Sequence, residues 1–248
     1  MTKSPDDQST NFPHALRKRL LEQMKGQEIL GCDELSLFEW YVSEQTKIID
    51  TMLREERAYL KEQADPCLDL GDVNDSGMVV VEYFTKRARY ADVIYLTSLL
   101  ELYLQRASKK LETVVGSHNV TFRPNELAGN KWTRHKKFLE RYGNFTFPDE
   151  VWITLLALID VRNILVHENG DSDAIPSATL TRIQSPGLQV DRGELVVEDA
   201  YIAHCLSAFR SLVQHINYQI NQTIDCTLRP QQLTTACQTK PSGPSRKS

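Results

Sequence analysis

The 248-residue chain lacks any apolar run approaching the roughly 18–20 residues that a membrane-crossing helix needs. Its opening, MTKSPDDQSTN, is polar and holds no apolar leader, so a soluble, cytoplasmic protein is expected. Cysteine is sparse and scattered. Cys32, Cys67, Cys205, Cys226 and Cys237 form no C-x-x-C pair and are odd in number, which favours reduced thiols over a disulfide framework. His204 and Cys205 are adjacent and diverge on a helix, and His204 and His215 lie three turns apart, so no metal site is expected. The sequence has no P-loop, no G-x-G-x-x-G and no G-x-S-x-G, which removes support for nucleotide-driven chemistry and for serine hydrolysis. Cys205 has no suitably spaced His–acid pair, so a cysteine protease is unsupported too. No cofactor is expected. Nor is there an excess of positive charge: 29 Lys and Arg against 33 Asp and Glu give a net charge of −4. That excludes a strongly basic nucleic-acid coat and leaves room for a local basic groove.

What remains is mostly helical periodicity. Residues 1–12 and 227–248 are polar, the latter rich in Pro and Ser, and read as disordered tails around a helical domain at 13–226. Leu16, Leu20 and Leu21 open a short amphipathic helix ended by Gly31. Asp33 can cap the next, whose apolar stripe is Leu37, Trp40, Tyr41, Ile48, Met52, Leu53 and Leu60. After a break marked by Pro66, Gly71 and Gly77, a long helix extends to Gly116. Its YLTSLLELYL stretch is apolar on more than one side, which predicts a central position. The next long helix follows Pro148 and ends near Gly170. Ser185-Pro186-Gly187 is a turn, and LQV-DRG-ELVVE predicts a small β-hairpin or paired extended segment. Asp199 can cap the last helix. The expected fold class is an all-α bundle with one small excursion before that helix.

Between Ser117 and Gly143 the charge changes sign: six Lys and Arg stand against two Glu. Arg134, Lys136 and Lys137 are candidate RNA-phosphate contacts, with Trp132 and Phe138 available for stacking. The competing reading is a solvated basic face whose Trp and Phe belong to the core. Trp40, Trp132 and Trp152 are all expected in the core.

The most informative stretch is Asp160-Val161-Arg162-Asn163-Ile164-Leu165-Val166-His167. The stripe Trp152, Leu155, Leu156, Ile159 continues into Asn163, with His167 one turn beyond it, so an apolar face is expected to turn polar in its last two turns. Arg162-Asn163-x-x-x-His167, late in an apolar helix and followed by Asn169-Gly170, resembles the HEPN superfamily. The likeness extends to YLTSLLELYL and the W-x-x-L-L helix, over about residues 80–220. The resemblance implies a HEPN-like helical bundle, often dimeric, and in active members a metal-independent endoribonuclease. It implies a toxin-like or defensive role, with RNA as substrate and an antitoxin or regulatory protein as a further partner. Carried over by residue, Arg162 and His167 would be the catalytic pair and Asn163 their polar companion. The tyrosine that some members carry two positions after the histidine is replaced here by Asn169, and the Gly-Ser…Asp-x-Asp signature of a fused nucleotidyltransferase is missing.

Elementary chemistry agrees with that assignment. An imidazole can take or give a proton near neutral pH, and a guanidinium offers a fixed fork to a charged phosphorane. Arg162 and His167 diverge by about 140° around one helix. A two-fold homodimer that pools groups from both chains in one cleft would reconcile them. The alternatives are a non-catalytic HEPN-like module that binds RNA or protein, and a structural helix end at which the cations only meet the dipole. Asp160 is open to orienting His167 or to facing solvent. Glu101 is open to pairing with an arginine such as Arg162 or to solvent.

Overall fold

The computed structural model describes residues 14–25, 27, 29, 32–63, 76–173 and 175–228. Residues 1–13 and 229–248, the break around Pro66 and Gly71, Gly31 and the Asp33 side chain lie outside the described residues. In chain order the helices are α1 (His14–Met24), α2 (Cys32–Gln63), α3 (Ser76–Val115), α4 (Lys131–Gly143), α5 (Asp149–His167), α6 (Ser177–Ile183) and α7 (Asp199–Leu228). A hairpin of β1 (Leu188–Asp191) and β2 (Glu194–Val197) precedes α7. The fold is therefore all-α with one small hairpin. The last helix runs two residues further than expected, through Thr227 and Leu228.

α3 is central, as its sequence predicts. Val93, Leu96, Leu100, Tyr103, Leu104, Ala107, Leu111 and Val114 are fully buried, at spacings that cover more than one side of the helix. It packs against α2, α4, α5 and α7. Each such aliphatic side chain contributes about 1.5–3 kcal/mol on burial, so this helix anchors the core. Tyr103 fixes α7 in register: its ring meets Phe209 edge-on at 5.9 Å, and its hydroxyl donates to the Val213 carbonyl at 3.1 Å.

The hairpin follows from its turn. Arg192 and Gly193 both have positive φ, 49° and 80°, the combination a two-residue connection needs to match strand twist. Leu188 pairs with Val197 and Asp191 with Glu194. Leu195 and Val197 are buried and face the core.

A second tie joins α2 to α3 and α7, and its members are polar. Arg89 is buried, donates to Gln45 Oε1 at 2.9 Å and Thr46 Oγ1 at 2.7 Å, and pairs with Asp92 at 3.2 Å and with Asp199. Asp199 also accepts from Thr46 Oγ1 at 3.0 Å, so the carboxylate expected as a helix cap serves a tertiary knot.

One packing expectation is overturned, and one open choice is decided for the core. Trp40 is exposed, as are Leu37, Tyr41, Ile48 and Met52 of the predicted α2 stripe. The residues α2 buries are Leu35, Phe38 and Ile49, a narrower strip beside the expected one. On α4, Phe138 is fully buried against Tyr142 at 5.0 Å, which removes it as a stacking platform. Trp152 is buried as expected, and Trp132 is half-buried.

Candidate functional site

The site is carried by the C-terminal half of α5, whose interior is apolar on most sides. Leu155, Leu158, Val161, Ile164 and Leu165 are all buried. The helix stops because Asn169 and Gly170 turn left-handed, with φ of 54° and 83°. The Glu168 and Gly170 amides still reach the Ile164 carbonyl, at 2.9 and 3.3 Å. Arg87 of α3 holds Asn169 Oδ1 at 2.6 Å, and the Leu195 amide donates to the Gly170 carbonyl at 2.8 Å. A Cβ at Gly170 would run into the Tyr90 hydroxyl, which itself donates to the Leu195 carbonyl at 2.7 Å. Gly170→Ala combines left-handed strain with this clash. It is expected to lower stability by about 2–3 kcal/mol, read from denaturant midpoints; Asn169→Gly relieves left-handed strain but loses the Arg87 bond and is expected to cost less.

Arg162 and Asn163 open onto a cleft of about 260 Å³ lined by Thr97, Ser98, Glu101, Lys131 and Trp132 besides themselves. Three helices build it. α3 supplies Thr97, Ser98 and Glu101, α5 supplies Arg162 and Asn163, and the first turn of α4 supplies Lys131 and Trp132. That turn is set by Asn130, whose side chain accepts the Thr133 amide at 2.9 Å. Arg162 Nη1 donates to Asn163 Oδ1 at 3.1 Å. Glu101, left open between an arginine and solvent, pairs with Lys131. Two cations, one carboxylate, an amide and an indole edge therefore converge on a small hollow. The local charge is positive although the chain is negative overall.

The sequence-predicted residues are only partly brought together. His167 is exposed and stands outside the set that lines the cleft. Asn163 is exposed as well, so the apolar stripe does not continue into it; burial passes to Val161, Ile164 and Leu165. Asp160 pairs with Arg182 of α6 at 2.8 Å and not with His167. The three basic candidates on α4 hold their own surroundings. Arg134 Nε donates to the Gly129 carbonyl at 2.6 Å and Lys137 to the Ala128 carbonyl at 2.9 Å. Lys136 pairs with Glu140 at 2.6 Å and lies 5.2 Å from the Phe147 ring. Lys131 of the same helix turns to the cleft instead.

Two further titratable groups lie close by or below. His135, one turn after Lys131, meets Ser108 Oγ at 2.9 Å through Nδ1. Burial holds its pKa below the usual imidazole value, against the pull of Glu101. Cys205 is buried beside Tyr201, and burial pushes its thiol up to about 12, which leaves no reactive thiolate near neutral pH. Among the described residues, no three His, Cys, Asp or Glu side chains cluster as a metal site would require. No helix among them is long and apolar enough to cross a membrane.

Sequence reasoning missed Thr97, Ser98 and Lys131 as companions of Arg162. The signal for Lys131 was its place directly after the capping Asn130, which orients the first helical turn. For Thr97 and Ser98 it was two hydroxyls inside an otherwise apolar run. No family model matches the chain, and no curated protein or solved structure is significantly similar to it.

Proposed function

We propose that the protein is a HEPN-type endoribonuclease that cuts single-stranded RNA without a metal, as a homodimer. The observation that carries this reading is the cleft in which Arg162 and Asn163 stand with Lys131 and Trp132. Two cations suit a phosphodiester, and a half-exposed indole suits an unpaired base. The volume falls below the roughly 300 Å³ at which sites for whole small molecules begin, so it fits one nucleotide of a longer strand.

In the proposed reaction His167 serves as the acid/base, taking the ribose 2′-hydroxyl proton or protonating the departing oxygen. The 2′-oxygen bonds to the adjacent phosphorus and the P–O5′ bond breaks, giving a 2′,3′-cyclic phosphate and a 5′-hydroxyl. Neither water nor an oxidant is consumed. Arg162 takes the charge that builds on the phosphorane, and Asn163 fixes the guanidinium through the 3.1 Å bond. Because His167 lies outside the cleft of its own chain, the histidine that completes each cleft comes from the second copy. A toxin-like or defensive role, with an antitoxin or regulatory protein as partner, is part of the same proposal.

The rival is a HEPN-like module that binds RNA or protein without cutting it. The exposed, unpooled position of His167 within one chain favours it. Incubating end-labelled RNA with purified protein in EDTA separates the two. Cleavage of the single strand but not the duplex is expected, and Arg162→Ala should slow it by about 10²–10³-fold. Binding without cleavage would select the module.

A further inference from the structure

α2 and the N-terminal half of α3 carry an apolar face that nothing in the chain's described fold covers. Leu37 and Trp40 are each 62% exposed, Ile48 61%, Phe84 60%, Tyr95 52% and Tyr41 49%. The face is shaped as well as apolar. Tyr41 borders two hollows, one of about 400 Å³ beside Trp40, Ile48 and Phe84, the other of about 710 Å³ beside Leu37 and Tyr95. We infer that this face is the seat of a second copy of the same chain.

Area and charge select that occupant. Large side chains carry roughly 150–250 Å² each, so these six leave on the order of 700 Å² of apolar surface open. A soluble monomer's largest patch is typically about 300–600 Å², whereas a stable pair of proteins buries about 800 Å² per partner. The face thus exceeds what a monomer shows and approaches what one half of a dimer needs. Each carboxylate bordering the hollows already has a cation in its own chain. Glu44 pairs with Lys47 at 2.6 Å, Asp92 with Arg89 at 3.2 Å and Glu34 with Arg106 at 3.4 Å. RNA or a highly charged peptide finds no free charge to grip here, and two copies meeting face to face bring no unpaired like charges together. Paired hollows flanked by projecting side chains also suit an isologous contact, in which each copy fills the other.

The seat adjoins the cleft. Ser98 borders both the larger hollow and the cleft that holds Arg162 and Asn163. α5 runs antiparallel to α3, because Asn169 is held at Arg87 while Arg162 and Asn163 meet residues 97–101. His167, between those anchors, stands level with the stretch of α3 around Ala91 and Ile94 that lines the larger hollow. A second copy seated on the face therefore lies beside the cleft that holds Arg162 and Asn163, with Ser98 common to both. The inference gives the dimer of the proposed function a surface and rests on that reading only for the fate of the cleft.

Sedimentation of the full chain at several concentrations tests it, beside Ile48→Glu, Phe84→Glu and, as a control outside both hollows, Tyr218→Glu on α7. All three positions are exposed, so circular dichroism should match the wild type. The wild type and Tyr218→Glu are expected at twice the 28.4 kDa chain mass. Ile48→Glu and Phe84→Glu are expected at the monomer mass, with dissociation constants raised about a hundredfold or more. A monomeric wild type overturns the inference and leaves the face to another partner or another segment of the chain. A dimer that survives both variants overturns it equally, by placing the contact elsewhere. A monomeric wild type would also remove the homodimer of the proposed function, whereas a dimer that survives both variants overturns this inference alone; RNA cleavage bears on the nuclease reading alone.

Discussion

His167→Ala is expected to lower RNA cleavage by about 10²–10⁴-fold while leaving the unfolding free energy within about 0.5 kcal/mol of wild type. The two halves of that expectation come from different features of the site. His167 is exposed at the last turn of α5, so its removal should cost the fold almost nothing. Its proposed chemistry is worth two to four orders of magnitude because proton transfer by a positioned imidazole contributes about that much to such reactions. Mixing sharpens the test. If each cleft pairs Arg162 of one chain with His167 of the other, Arg162→Ala and His167→Ala are each inactive alone. Subunit exchange then makes half the dimers mixed, each with one complete cleft of two, and restores about a quarter of wild-type activity. A binding module predicts no recovery, since there is nothing to recover.

Arg89→Ala is expected to destabilise the fold by about 3–5 kcal/mol at pH 7, measured by denaturant unfolding. Arg89 is buried at the junction of α2, α3 and α7, where it serves Gln45, Thr46, Asp92 and Asp199 at once. Its loss leaves the Asp92 carboxylate buried without its cation. Burial already raises the Asp92 pKa, with the Arg89 hydrogen bond acting against it, so without Arg89 the value rises further. The sign of the pH dependence follows. A folded-state pKa above the unfolded one means that the native protein binds the proton more tightly. Stability is then fullest below the unfolded carboxylate pKa of about 3.9 and is lost as pH rises through the raised folded value. The deficit of Arg89→Ala should accordingly be smaller near pH 4 than at pH 7. Replacing both partners by apolar residues, as in Arg89→Met with Asp92→Leu, should recover much of it, because no buried charge is then stranded.

The frame of the molecule was legible because periodicity and punctuation agree. α5 lies between Pro148 and the Asn169-Gly170 exit, the hairpin turns at Arg192-Gly193, and α3 is apolar on more sides than a surface helix could be. Trp40 shows the limit of the same reasoning. Spacing identifies an apolar stripe on α2 without saying whether the chain itself covers it, and here most of the stripe faces outward. Asn163 failed for a related reason. α5 is buried on several sides, so the angle of one stripe does not decide which side opens to solvent. The basic run of α4 drew attention to Arg134, Lys136 and Lys137, which in the fold donate to Gly129 and Ala128 and pair with Glu140, as Lys131 pairs with Glu101. Lys131 escaped notice because its direction depends on how α4 docks on α3, which no local pattern encodes. The Arg89 knot was equally silent: all its partners but Asp92 lie 43 or more positions from Arg89, and only packing brings them together.

The most direct test of the central claim is the chemistry of the ends left on RNA cut in EDTA. Single-stranded RNA incubated with the wild-type protein should yield fragments ending in 2′,3′-cyclic phosphate and beginning with 5′-hydroxyl, as attack by the neighbouring 2′-oxygen requires. Fragments with 3′-hydroxyl and 5′-phosphate ends, or RNA left intact by the folded protein, would contradict the account.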